Sequence, residues 1–437
     1  MKQQSTLYFA TVVHCTGDPW QSGAAAVQVL TDGYLKVTNG LVESVGVETD
    51  LTPEEMRECI QVDYRGYIVT PGFIDGHLHY PQTGVIASYG TQLLEWLEKY
   101  TFPEEAKFSD DAYAEASADF FIRELLRNGT TSGFVFATVH KQSVDAIFNV
   151  ASTVNMRLAS GKVLMDRNCP ENLRDTAVSG YEDSQQLIDQ WHGKDRLMYA
   201  VTPRFAPTST PAQLEFSSRL FNENSGVYLQ SHVAENKAEI EWVADLFPWS
   251  DSYLDVYDHY GLLGNRAVYG HCIYLDDNDL KRMSDSGTVA AFCPTSNLFL
   301  GSGLFDLVSA REKRVKTVMA SDVGGGTSFS MLRTAAEAYK VTQMIGNTVT
   351  SLQLFYELTL GGAEALCIGN KVGNFDNGKE ADFVVLDLHA TEVLSQRAER
   401  AMNMEELLFA LIVLGDDRCT VATHLMGQEV YSRHIKM

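Results

Sequence analysis

Two histidines, His77 and His79, close an apolar run that begins at Val69, with one residue between them. Side chains on a strand alternate in direction, so both imidazoles reach the same face and can hold one metal ion. Four later apolar runs also end in residues able to do chemistry. They end in Thr202-Pro203-Arg204-Phe205, in His232 followed by Val233-Ala234-Glu235-Asn236, in Gly270-His271-Cys272, and in Ser321-Asp322. Four of the eleven histidines fall at these few positions. The other seven, His14, His140, His192, His259, His389, His424 and His434, fall in expected helices, loops or the β-rich ends. A lone histidine is more often a solvated or core residue, but an apolar strand entering a pair weighs against that reading. Three imidazoles and one carboxylate, from His77, His79, His232 and Asp322, make a ligand set suited to Zn2+, with Fe2+ possible, and leave room for a water. Such an ion brings the pKa of its water toward ~7. Asp322 is expected to orient that water as a base, and His271 to polarise the charge that develops. Glu235, three residues after His232, is placed to carry the proton, although the common fate of a single glutamate is a solvated surface. Two metals would need a bridging ligand such as a modified lysine. The fourth run ends in Arg204, and Lys162 lies mid-run, so one ion per chain is expected.

These residues need a scaffold that brings distant strand ends together. Eight short apolar runs recur: the one ending at His79, then 130–139, 158–165, 197–205, 227–232, 267–271, 288–293 and 315–322. Segments long enough for helices separate them. Eight strand–helix units over roughly 250 residues fit a (β/α)8 barrel, whose active site lies at the C-terminal strand ends. Residues 110–127 carry helical apolar spacing through Tyr113, Ala116, Phe120, Phe121 and Leu125, stopped at Asn128-Gly129. Leu93 to Leu97 reads as a helix followed by Phe102-Pro103. The first 65 residues are β-rich, with a hairpin signal at Asn39-Gly40, and the texture turns β-rich again after about 372. The expected organisation is residues 1–68 and 373–437 forming a small β-sandwich from both chain ends, with the barrel over 69–372.

A chain of 437 residues with 45% hydrophobic and 21% charged residues is ordinary for a globular protein with one large domain and a smaller one. Its net charge of -23 repels nucleic acid and anionic lipid, so a nucleobase handled here would be free. Seven scattered cysteines without a CxxC pair argue against a disulfide frame or zinc knot. No apolar run approaches the ~20 residues of a membrane helix, and Met1 to Ser5 lack the apolar core of a signal peptide, so a cytoplasmic location is expected. The zinc site of cytidine deaminases needs H-x-E with P-C-x-x-C, but Cys293 precedes Pro294 and no second cysteine follows. Gly324-Gly325-Gly326-Thr327 lacks the lysine of a phosphate loop and reads as a turn close to the substrate.

Pro71 to His79, Ser231-His232, Gly270-His271 and Ser321-Asp322 resemble the amidohydrolase superfamily. Leu93-Leu94-Glu95-Trp96-Leu97, Thr202-Pro203-Arg204-Phe205 and Cys293-Pro294-Thr295-Ser296-Asn297-Leu298 are more specific and resemble its guanine-deaminating branch. The resemblance covers the barrel and the C-terminal strands and is weak over the first sixty residues. It implies hydrolysis of guanine to xanthine and ammonia, with water activated on the metal attacking C2. Glu235 would shuttle the proton to N3, and Asp322 and His271 would assist the tetrahedral intermediate. Gln82, Arg204 and Phe205 would bind the base, next to His79, His232, Glu235 and Asp322. Arginine donors match the O6 and N7 acceptors of guanine, and a glutamine amide suits O6 with N1–H. The alternative fate of Arg204 is a surface salt bridge. The resemblance also implies a homodimer, and residues 82–105 are the expected lid. Gly76 stands where many members carry Thr, a change expected to loosen the strand end. Rival readings are a sibling deaminase of 8-oxoguanine, a pterin or a triazine, and a non-catalytic assembly protein on a decayed barrel.

Overall fold

The computed structural model describes residues 5–433 apart from Thr91. The expectation on Met1 to Gln4 and the assignment of His434 therefore lie outside the described residues. The N-terminal part contributes β1 (Ser5–Cys15), β2 (Val27–Thr38), β3 (Leu41–Val47) and β4 (Ile60–Pro71). Asn39 and Gly40 join β2 to β3 with φ of 53° and 81°, the left-handed pair that a two-residue hairpin turn requires.

All eight expected barrel runs are strands. They are β5 (Phe73–His79), β6 (Thr130–Phe136), β7 (Arg157–Gly161) extended by β8 (Val163–Leu164), β9 (Leu197–Pro203), β10 (Tyr228–Val233), β11 (Ala267–His271), β12 (Val289–Phe292) and β13 (Lys316–Met319). They pair in parallel in the order β5-β6-β7-β9-β10-β11-β12-β13, with β8 on β9. Nearly every strand residue is buried on both faces, as a parallel sheet covered by helices demands. Backbone and side-chain bonds bring the ring almost to closure. Asp322 N donates to His77 O at 2.9 Å, and Ser321 N donates to Asp75 Oδ1 at 3.0 Å.

The small β unit from both chain ends is one mixed sheet. β14 (Phe383–Leu386), β15 (Thr420–Leu425) and β16 (Gln428–Ser432) join it in the order β16-β15-β14-β4-β1-β2-β3. A buried ion cluster ties it to the barrel. Arg196 pairs with Asp382 and, at 2.9 Å, with Glu380, which also takes Arg157 Nε at 3.1 Å. No helix among the described residues is long and apolar enough to cross a membrane.

Three local details bear on how the site is held. The helix Asp111–Arg127, capped by Asp110, buries Ala114, Ala118, Phe121, Ile122 and Leu125, whereas Ala116 and Phe120 face outward. Two alanines carry the seam, so hydrophobic size misreads the buried stripe. The helix expected at Leu93 to Leu97 is present and continues: a π turn at Leu97–Thr101 leads into Phe102–Glu105, with Pro103 in its first turn. The pairing of β5 with β6 shifts register between Asp75 and Leu78, across Gly76. A Cβ there would lie 2.3 Å from Val318 Cγ1, so the valine of β13 occupies the space.

Candidate active site

The polar ends of the barrel strands converge. His77 and His79 leave β5 on one side, as the period of two requires. His79 Nε2 lies 3.1 Å from His232 Nε2, and Asp322 Oδ1 is 3.4 Å from both His77 Nε2 and His79 Nε2. Donors about 2.1 Å from a tetrahedral zinc stand about 3.4 Å apart, so these separations fit a single ion. His77 Nδ1 and Nε2 and His79 Nδ1 are buried without a hydrogen-bond partner, and buried imidazole nitrogens are seldom left so. Two clusters of possible donors overlap at His77: His77, His79 and His232 form one, and His77, His271, Cys293 and Asp322 the other. Lys162 is not available as a bridge, because its ammonium is buried against Asp175.

His232 Nδ1 is 2.6 Å from Arg204 O, which holds Nε2 toward the centre. Phe136 lies against His77, His79 and His232 with ring centroids 4.4–4.8 Å away, an apolar wall that keeps the dielectric low. Burial, reinforced by neighbouring imidazoles, holds His79 and His232 well below their ordinary pKa, so both are neutral and able to ligate. Burial lowers His77 as well. Burial also raises the carboxyl of Asp322, but the adjoining His77 and the charge of His271 outweigh it and bring the pKa to about 2. Burial pushes Glu235 up to about 7 against the pull of His271. His271 shows the reverse balance: burial lowers it, yet Glu235 and Asp322 raise it above its usual value. Its Nε2 is 3.3 Å from Glu235 Oε2 and 3.8 Å from Asp322 Oδ2. Ala234, His271, Cys272 and Asp322 all sit at φ between 50° and 72°, a left-handed setting that costs energy in non-glycine residues and aims side chains inward.

Glu235 and Asp322 meet at one pocket above the strand ends. His79, Gln82, Arg204, Phe205, His232, Glu235, His271 and Asp322 all line it, so of the expected site residues only His77 lies behind the lining. Leu93, Trp96 and Leu97, from the segment expected as a lid, form one wall. Gly325 lines another, and Gly324 leaves no room for a Cβ, which would meet Gln82 O at 2.3 Å. Arg204 is buried, not on the surface, and its partner is Glu105.

Three residues were not singled out from the sequence. Asn297 Oδ1 is 2.8 Å from His271 Nδ1, and Ser302 Oγ donates to Glu235 Oε1 at 3.0 Å. Glu105 accepts from Arg204 Nη1 at 2.7 and 2.9 Å and from Gln82 Nε2 at 3.1 Å. The adjoining Phe102-Pro103-Glu104-Glu105-Ala106 hints at a carboxylate within an apolar setting, but nothing local names its partners.

A sequence model described as the amidohydrolase family matches residues 68–430. Guanine deaminase of Escherichia coli (strain K12) is 48% identical over 412 residues, covering 94% of each chain. A solved structure of Escherichia coli guanine deaminase superposes with a TM-score of 0.94 at 45% identity, covering 98% of this chain and all of that one. A structure of guanine deaminase from C. acetobutylicum, with guanine bound in the active site, has a TM-score of 0.88 at 28% identity over 98% of this chain.

Proposed function

The chain belongs to the amidohydrolase family, and from that premise we propose that it is a guanine deaminase, hydrolysing guanine to xanthine and ammonia. The observation that carries this reading is the placing of Gln82 and Arg204, an amide and a guanidinium, in one buried pocket with His79, His232, Asp322 and Glu235. Hydrogen-bonding groups for a ring edge thus face a centre fit for hydrolysis.

His77, His79, His232 and Asp322 would hold one zinc ion. A divalent ion there supplies the Lewis acidity that makes water a nucleophile at neutral pH. Arg204 donates to O6 of guanine, Gln82 accepts from N1–H, and Phe205 packs on the purine face, which turns C2 toward the carboxylates. Asp322, held ionised, orients the attacking water. Glu235, with its pKa near neutral, both takes and gives a proton: it accepts one from the water and delivers it to N3, then takes the remaining proton of the added hydroxyl and gives it to the departing amine as the C2–N bond breaks. His271, shared between Glu235 and Asp322 and fixed by Asn297, donates to the oxygen on which charge develops. An adenine edge would leave Arg204 facing a donor, a costly mismatch in a buried site.

The test is ammonia release from guanine, adenine, 8-oxoguanine, a pterin and a triazine, before and after chelation and with zinc or iron restored. Guanine should be the best substrate, and activity should vanish with the metal and return with it. Faster turnover of another ring would transfer the reading to that sibling chemistry. A metal-free protein releasing no ammonia would leave only an inert scaffold.

A further inference from the structure

Glu105 takes no part in the chemistry just described, yet it is only 1% exposed and holds two residues of the pocket lining, Gln82 and Arg204. We propose that Glu105 is a positioning residue that fixes the hydrogen-bonding sense of the pocket, so that the site accepts rings with a carbonyl beside an N–H. Rings with an amino group beside a bare nitrogen are thereby discriminated against. The inference rests on the reading of the site as a deaminase of a 2-amino-6-oxo ring.

A glutamine amide alone has no fixed sense, since its two ends are alike in size and opposite in hydrogen bonding. A carboxylate resolves this because it only accepts. Gln82 Nε2 donates one hydrogen to Glu105 Oε1 at 3.1 Å, which fixes the amide with its carbonyl Oε1 turned from the carboxylate as the acceptor for a ligand. Both oxygens of Glu105 also accept from Arg204 Nη1, leaving Nε and Nη2 as the donors that Arg204 can offer. One buried carboxylate therefore turns Gln82 into an acceptor beside Arg204, which is a donor in any orientation. That pair complements N1–H and O6 of guanine. It opposes the bare N1 and 6-amino group of an adenine-like edge at both contacts. The guanidinium also lies over the ring of Phe102, with its carbon 5.4 Å from the centroid, so Arg204 is held from two sides.

A purely structural role, neutralising a buried arginine, would make no distinction between rings. The variant Glu105→Gln separates the two roles. A neutral amide at 105 can accept from Gln82 Nε2 or donate to its Oε1, so the sense of Gln82 becomes free, and Arg204 loses its charged anchor. The experiment uses the zinc-loaded full chain and reads kcat and KM for guanine. It also reads the KM, or inhibition constant, of 2,6-diaminopurine, which carries an amino group at C6 and a bare N1. E105Q should raise the KM for guanine at least tenfold with a smaller change in kcat. It should lower the preference for guanine over 2,6-diaminopurine at least tenfold, with metal content unchanged. Glu105→Asp keeps the charge with a shorter reach and should shift the same ratio in the same direction by less. It decides the matter if E105Q does not fold. Wild-type activity on guanine with both rings weakened by the same factor in these variants would overturn the role of Glu105 and leave the deaminase reading standing. Absence of wild-type activity on guanine would remove the deaminase reading itself.

Discussion

At the scale of single residues, the site divides into groups whose type announces them and groups whose contacts do. His77, His79, His232 and Asp322 could be singled out as candidate ligands because few residue types bind metal and all four end apolar runs. Glu235 was legible from its spacing to His232. Glu105, Asn297 and Ser302 were not, because each acts through a partner 23 to 99 positions away, and no local pattern encodes such a contact. The roles make separable predictions. Glu235→Gln keeps the shape and a bond to Ser302 but cannot carry a proton. It should lower kcat about 10²–10⁴-fold while metal content and KM stay close to wild type, read by steady-state kinetics with metal analysis. Arg204→Lys keeps a charge but loses the planar fork that serves Glu105 and the base together. It should cost guanine about 10²-fold or more in kcat/KM, mostly through KM, with metal retained. Loss of metal in either variant would place that residue in the ion's own support instead.

At the scale of elements, the eight barrel strands were readable because strands buried on both faces are continuous apolar runs. Helix faces were less readable. In Asp111–Arg127 the seam is set by Ala114 and Ala118, and the larger Phe120 turns outward, since small residues let a helix approach closely. The same close fit governs β5. Between Asp75 and His77, Gly76 leaves the gap that Val318 of β13 fills, so the strand carrying two imidazoles is keyed to the strand preceding Asp322. Gly76→Ala should overpack this joint and cost about 1–3 kcal/mol. Val318→Ala made together with it should recover part of that loss, because residues in contact couple non-additively. Urea unfolding of the two single variants and the double variant measures the coupling. Strict additivity would mean that the joint relaxes elsewhere.

At the scale of the whole molecule, the texture of the sequence marked both chain ends as β-rich but not how they pair. β4 joins them, lying parallel to β1 and antiparallel to β14. Such pairing depends on registers far apart in sequence, with Thr6 opposite Ile60 and Phe383 opposite Pro71. The resulting sheet buries His424 of β15, stacked on Phe383 at 4.2 Å with its Nε2 3.0 Å from Tyr64 Oη. Burial there lowers its pKa from 6.5 to about 4. Above pH 6.5 the ring is neutral in both folded and unfolded chains and carries no penalty. As the pH falls from 6.5 toward 4, the unfolded chain takes up a proton that the folded chain resists, so stability falls. The loss is complete below about pH 4 and amounts to about 3 kcal/mol. His424→Gln keeps a polar group beside Tyr64 but does not titrate. Its unfolding free energy should therefore fall less steeply than wild type between pH 6.5 and 4. Comparing the two proteins at equal metal content cancels the titration of His77, His79 and His232, which both share. Parallel curves across that window would mean that acid lability arises at the strand ends of the barrel, not in the sheet that joins the two chain ends.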